Sequence, residues 1–299
     1  MVKKQRFIIY TIVVLAMMIW GMTFIWYKQV YSVLRPLSLV FMRLLIASPA
    51  LLMVSFLVKK LQRIRRKDLP AFLLLAFFEP FLYFLGESFG IKRVSSTLGS
   101  VIIATIPLFT PLAAYIYFRE RFTGVNVIGI IISILGVSIV FAGEKGYTGS
   151  TCWGAMLMFL AVFAAVGYSV LVKKLAVSYN SFSIVSWQNA IGLLYLLPLF
   201  VVFEWDHVMQ VKWTFSVLAP LVELALFGSA LAFIFFTYSI KRLGITRATV
   251  FLNLIPVFTV LFSWIILQDT ITLLKIAGIV VVISGLSLTQ FTVKINNIE

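Results

Sequence analysis

One cysteine, one histidine and ten acidic side chains among 299 residues leave this chain short of the parts from which most catalytic centres are made. Cys152 alone cannot close an intrachain disulfide or build a multi-cysteine metal site. His207 has no second histidine with which to form a His-Glu-x-x-His zinc helix, and its loop position predicts a solvated side chain. No Gly-x-x-x-x-Gly-Lys-Ser/Thr phosphate loop occurs, which argues against ATP-driven work by this chain alone, and no strand-turn-helix nucleophile elbow is expected. Neither a cofactor nor a bound metal is expected. Charge is scarce as well, with Asp, Glu, Lys and Arg at 12% of residues.

Apolar residues are abundant, at 62%, against roughly 45 to 50% in soluble domains. They gather into runs of about 20, the length of helix that crosses ~30 Å of hydrocarbon. Ten such runs lie at 7–27, 37–58, 70–90, 96–118, 124–142, 152–172, 182–203, 214–239, 247–267 and 273–291. The short alternating segments of a membrane barrel are missing, so the expected fold is an all-α integral membrane protein with ten transmembrane helices in a lipid bilayer.

The net charge of +15 would suit nucleic-acid binding in a soluble protein, but the placement of the charges gives another reason for it. The N-terminal tail and alternate loops hold 17 of the Lys and Arg residues, from Lys3 through Lys294. The intervening loops hold seven, and Arg43 lies inside a run. Basic loops stay cytoplasmic, so both termini are expected there, in the inner cell membrane and with no nucleic acid as partner. The first 21 residues look superficially like a signal peptide, yet they lack a small-x-small cleavage pattern and have an internal counterpart after residue 152.

That counterpart belongs to a repeat. Residues 91–138 align without a gap on 240–287, at an offset of 149, with 17 of 48 positions identical. The matches include Lys92-Arg93 on Lys241-Arg242, Pro107 on Pro256, Thr110 on Thr259, and Gly129 and Gly136 on Gly278 and Gly285. Further back the offset shrinks to 146 at Gly21 and Gly167 and to 145 at Arg43 and Gln188. Two halves, 1–143 and 151–292, therefore carry five runs each, and an odd number turns the second half upside down in the membrane. Inverted halves are a recurring architecture of secondary transporters, because exchanging the halves' conformations converts an outward-open cavity into an inward-open one.

Trp20-Gly21-Met22-Thr23-Phe24, then Phe41-Met42-Arg43, then Ile106-Pro107-Leu108-Phe109-Thr110 running through to Glu120 form a pattern, echoed by Ile255-Pro256-Val257-Phe258-Thr259 and Asp269. Together they resemble the EamA-type transporters of the drug/metabolite transporter superfamily, over nearly the whole chain. The resemblance implies a carrier in which runs 1 to 4 and 6 to 9 surround a central cavity, with runs 5 and 10 peripheral. It also implies amino acids, metabolites, nucleotide sugars or drugs as cargo, commonly moved outward. The second half departs from the pattern at Val166, opposite Trp20, and at Gln188, opposite Arg43.

Ionisable side chains inside a membrane cost about 2.5 to 3.5 kcal/mol each on insertion scales, so each is a candidate site. Four qualify: Arg43, Glu79, Glu87 and Glu223. Glu79 and Glu223 each lie nine residues into a run, about 14 Å deep at 1.5 Å per residue. Glu79, Tyr83 and Glu87 recur every fourth residue and predict a polar stripe facing the cavity. Such a carboxylate can carry a proton as coupling ion or pair with a substrate amine. Arg43 and Glu87 reach a similar depth and predict an ion pair, either structural or an outer gate that also catches a substrate carboxylate through a bidentate contact. Trp20 and Thr23, together with Trp187, Gln188 and Asn189, and Asn253 are further cavity candidates. Pro107 and Pro256 predict kinks or hinges in mid-run. The glycines of runs 5 and 10 predict close helix packing, and Glu120 and Asp269 predict helix N-caps.

The reading that best fits is a secondary carrier of small organic solutes, amino acids or related compounds, working outward. A channel or facilitative pore and an intramembrane enzyme are the alternatives.

Overall fold

Sequences this apolar satisfy their backbone groups within helices. The computed structural model describes residues 3–118, 124–143 and 149–295, and every regular element among them is helical. The first half holds α1 (Lys3–Val30), α2 (Pro36–Leu57), α3 (Leu69–Ala76), α4 (Tyr83–Ile91), α5 (Ser96–Ile103), α6 (Ile106–Phe118) and α7 (Gly124–Ala142). The second holds α8 (Gly149–Leu175), α9 (Ser181–Phe203), α10 (Trp205–Met209), α11 (Phe215–Glu223), α12 (Ala232–Leu243), α13 (Ile245–Thr249), α14 (Leu254–Ile266) and α15 (Leu273–Ile295).

Among the described residues, eight segments of 20 to 29 residues are long and apolar enough to cross a membrane. Two shorter apolar stretches, Val127–Ala142 and Leu273–Gly285, lie in α7 and α15. Starts and stops follow local chemistry. Pro36 opens α2, where its missing N–H costs nothing, and the Ser95 and Asn180 side chains accept from Leu98 N and Ser183 N to cap α5 and α9. The expected capping role of Asp269 is not what forms. Asp269 accepts from the Ser263 hydroxyl, and Thr272 Oγ1 takes the Lys275 N–H at the start of α15. Glu120 lies outside the described residues.

Both mid-run prolines coincide with helix breaks. α5 stops at Ile103 and α6 begins at Ile106, one residue before Pro107; a 3₁₀ turn over Val250–Asn253 precedes α14, two residues before Pro256. A proline cannot donate to the preceding turn, so the ladder is interrupted there. Both halves also carry a π-helical segment at matching positions, Phe77–Leu82 between α3 and α4 and Leu224–Leu231 between α11 and α12. The two segments end on equivalent residues, since 82 plus 149 is 231.

Two helix pairs show how the halves meet. In α7 and α15, the Ser133 hydroxyl donates to Val282 O at 3.1 Å. A Cβ on Gly136 would fall 2.9 Å from the Gly278 carbonyl oxygen, and one on Gly285 would fall 2.7 Å from that of Gly129. Such backbone approach admits only glycine, and it is a means of helix association in lipid. As residue numbers rise in α7 their partners fall in α15, so the two helices are antiparallel. Gly129 and Gly136 match Gly278 and Gly285 at the repeat offset, so the two glycine contacts are one contact seen twice. α2 and α9 repeat the logic: the Phe41 and Phe200 rings stack at 3.9 Å, and the Ser55 and Ser186 hydroxyls bond at 2.8 Å. At an offset of 145, residue 41 maps to 186 and 55 to 200. A two-fold axis that exchanges antiparallel helices runs perpendicular to both.

Candidate functional site

Residues of both halves line a cavity of about 40 Å³. α1 supplies Trp20, Thr23 and Phe24, α2 supplies Arg43, and the segment from Glu79 through α4 supplies Glu79, Tyr83, Phe84 and Glu87. From the second half come Tyr168, Phe233, Phe236, Leu252 and Ile255, among others.

A charged network forms its first wall. Arg43 and Glu87 make the expected ion pair, Nη1 to Oε2 at 3.7 Å, with side chains 2% and 6% exposed. Desolvating two charges is offset only when further hydrogen bonds complete them. Tyr27 does this from between them, accepting from Arg43 Nη1 and donating to Glu87 Oε2 at 2.8 Å. Tyr83 donates to the other carboxylate oxygen at 3.1 Å, and Arg43 Nε donates to the Ser229 hydroxyl at 2.6 Å. The guanidinium plane lies 3.9 Å over the Phe84 ring, a cation–π arrangement. Arg43 Nε and Nη1 are thus both engaged within the wall.

Glu79 sits within the first π-helical segment with an extended backbone, φ −147° and ψ 120°, which departs from the regular helical stripe predicted for it. It nonetheless shares the cavity with Tyr83 and Glu87. It is 3% exposed and receives no hydrogen bond from any described residue.

Trp20, Thr23, Arg43, Glu79, Tyr83 and Glu87 therefore come together. The other candidates stand elsewhere. Glu223 is half-buried and does not line the cavity. Val217, Pro220 and Leu221 form the buried face of α11. Trp187 reaches toward the loop after α2, donating to Gln62 O at 2.9 Å. Gln188 and Asn189 are buried behind the wall, where Asn189 Nδ2 donates to Val185 O at 2.8 Å and Ser229 O at 3.5 Å. Asn253 is buried beside the lining residue Leu252.

Several lining and supporting residues carried no signal in sequence. Tyr27, Phe84, Tyr168 and Ser229 are ordinary residues of apolar runs, identified only by three-dimensional neighbours. The repeat offered one clue, because Gly228 is the counterpart of Glu79. Its carbonyl accepts the Trp20 indole N–H at 3.2 Å, and a Cβ there would strike the Thr23 methyl at 2.8 Å.

Gly86-Glu87-Ser88-Phe89-Gly90 does have the Gly-x-Ser-x-Gly spacing of a nucleophile elbow. It lies inside α4, and Ser88 donates to Pro36 O while Gly86 and Gly90 pack against α8. An elbow requires a strand-to-helix turn beside a base, and this segment is packing. Among the described residues no three His, Cys, Asp or Glu side chains gather as a metal site.

The model of the EamA-like transporter family matches this chain twice, over residues 7–142 and 152–291. The chain belongs to the EamA-like transporter family. With it comes the drug/metabolite transporter superfamily. An uncharacterized transporter of Archaeoglobus fulgidus is 29% identical over 92% of this chain and 96% of its own. The uncharacterized transporter YdfC of Bacillus subtilis is 28% identical over 88% and 85%. A chloroplastic WAT1-related protein of Arabidopsis thaliana is 26% identical over 96% of this chain and 70% of its own. A crystal structure at 14% identity superposes with a TM-score of 0.69 over 94% of this chain and 96% of the other, a likeness of fold. The EamA-like chain is thus a multi-pass membrane protein of a transporter family.

Proposed function

We propose that this EamA-like protein is a secondary carrier of the inner cell membrane that exports small organic solutes, amino acids or related compounds, by alternating access. In this reading residues 1–143 and 151–292 are inverted five-span halves, both termini are cytoplasmic, and protons are the coupling ion, taken up at Glu79. Pro107 and Pro256 are the hinges, at the breaks that separate α5 from α6 and precede α14. Antiparallel, self-complementary packing of α2 with α9 and α7 with α15 supports the inversion, since such an axis lies in the membrane plane if the helices cross it.

The observation that carries the proposal is the cavity lined by both halves, with a buried ion pair and a further buried carboxylate in its wall. Proteoliposomes loaded with the twenty protein amino acids and their decarboxylated amines test it, with exchange followed by mass spectrometry. Saturable counterflow of at least one solute, driven further by an imposed pH gradient, is expected. Unsaturable conductance would mark a channel, and accumulation indifferent to the gradient would remove the proton.

A further inference from the structure

From the unpaired cations of the loop between α2 and α3, and from the bonds that pin its backbone, we infer that this loop is a binding platform for the headgroups of anionic phospholipids. Residues 59–67 hold six cations and no acid: Lys59, Lys60, Arg63, Arg65, Arg66 and Lys67. All six are exposed. Lys60 Nζ lies over the Phe182 ring at 4.8 Å, and Arg65 pairs with Asp68 at 3.5 Å. The side chains of Lys59, Arg63, Arg66 and Lys67 make no hydrogen bond or ion pair with any described residue. Four like charges this close repel one another, and anions from outside the chain relieve that repulsion.

The loop backbone is tied to the other half of the molecule. Gln62 N donates to Ser183 Oγ at 2.8 Å, and its carbonyl accepts from Trp187 Nε1 at 2.9 Å. Its side-chain oxygen accepts from Asn180 N and Nδ2 at 2.8 and 3.0 Å. The Lys60 carbonyl takes Asn180 Nδ2 and the Ser183 hydroxyl at 2.7 and 2.9 Å. Arg65 N donates to the Tyr179 hydroxyl, which in turn donates to Asp68. Ile64 packs against the core. A loop fixed in this way presents its cations without having to be ordered when a ligand binds.

Its place in the chain selects the ligand. Phe56 and Leu57, at the end of α2, are 71% and 67% exposed, as side chains facing lipid are, and the next apolar span begins at Arg66. Cations within a few residues of both spans stand at headgroup depth, where a phospholipid reaches them more readily than a soluble polyanion does. In the orientation proposed above they meet the cytoplasmic leaflet, whose negative surface potential attracts such clusters. Sorting of charge across the membrane accounts for cations on this face, but it does not require them on a backbone pinned to the other half. The equivalent loop at an offset of 145, residues 204–212, carries Glu204, Asp206 and only Lys212 among Lys and Arg, so the platform is no property of the repeated frame.

Native mass spectrometry of the detergent-solubilised full chain, titrated with dioleoyl phosphatidylglycerol or dioleoyl phosphatidylcholine, tests the inference. Phosphatidylglycerol is expected to bind at least tenfold more tightly. The triple variant Arg63→Gln, Arg66→Gln, Lys67→Gln should lose at least tenfold in phosphatidylglycerol affinity and leave phosphatidylcholine unchanged. Removing three exposed cations elsewhere, with Lys174→Gln, Lys212→Gln and Arg247→Gln together, should change either affinity by less than about twofold. Arg63→Lys with Arg66→Lys, which keeps the charge, should retain the preference and serves if the glutamine variant does not fold. Equal affinity for the two lipids, or equal loss in the two triple variants, overturns the inference. So does binding of glycerol 1-phosphate or a polyglutamate peptide as tight as that of phosphatidylglycerol. Solute counterflow is read in a separate assay, so the carrier reading stands or falls independently.

Discussion

At equivalent positions the first half places Arg43, Glu79 and Glu87 where the second places Gln188, Gly228 and Phe236. The frames match: both halves have a π-helical segment, a proline-associated break and the same glycine contact between α7 and α15. The side chains facing the cavity do not match. Both halves supply aromatic surface, but only the first supplies charge, while the second adds a hydroxyl and a backbone carbonyl. In the carrier proposed above, a two-fold frame would serve alternation, which needs halves of similar energy. Recognition needs asymmetry, because a symmetric cavity would place a second Arg–Glu pair where the aromatic wall stands.

The same contrast appears at the cavity ends. Lys28 Nζ bonds Ile91 O at 2.7 Å and Val94 O at 2.6 Å, tying α1 to the end of α4. Its counterpart at offset 146, Lys174, is exposed. Gly90 and Gly154 bring α4 and α8 together near the Lys28 end, and the residue equivalent to Gly154 in α1, Ile8, is 46% exposed.

Breaking the symmetric pair Arg43 and Gln188 should give the widest separation. Arg43→Met strands the Glu87 carboxylate in the interior and should destabilise by about 3 to 5 kcal/mol. Gln188→Met removes a buried oxygen that has no partner and should change stability by less than about 1 kcal/mol. Thermal unfolding in detergent compares the two; equal midpoints would dissolve the distinction between the halves.

A smaller effect should follow from the frame. Gly136→Ala drives a methyl into Val282 and Gly278 and should cost about 1 to 3 kcal/mol. Gly124→Ala, with open space around it, should be stabilising or neutral in the same melts. Smaller still, Phe41→Leu should lose the stacking on Phe200, about 0.5 to 1.5 kcal/mol. Its symmetry mate Ser186→Ala should cost about 0.6 kcal/mol, the usual size of an interhelical hydrogen bond in a membrane protein.

The repeat, the proline breaks, the glycine seam and the Arg43–Glu87 pair were legible in sequence because each rests on spacing or on the cost of charge in lipid. Depth was legible too, but direction was not. Glu79 and Glu223 were equally deep on residue counts, and only the packed face of α11 separates them. Trp187 misled for the same reason, its run being apolar on every side. The π-helical segments compounded this, since an inserted residue rotates everything beyond it by about 100°. Tyr27 and Ser229 left no trace, because a bridge between two helices has no periodicity within either.

Glu79 lies in the cavity wall, and Glu223, at similar depth by residue count, lies outside it. Solute counterflow in proteoliposomes should fall at least tenfold in Glu79→Gln and be unchanged in Glu223→Gln, with wild-type protein as reference. Equal loss in both variants, or loss only in Glu223→Gln, would contradict the role proposed for Glu79.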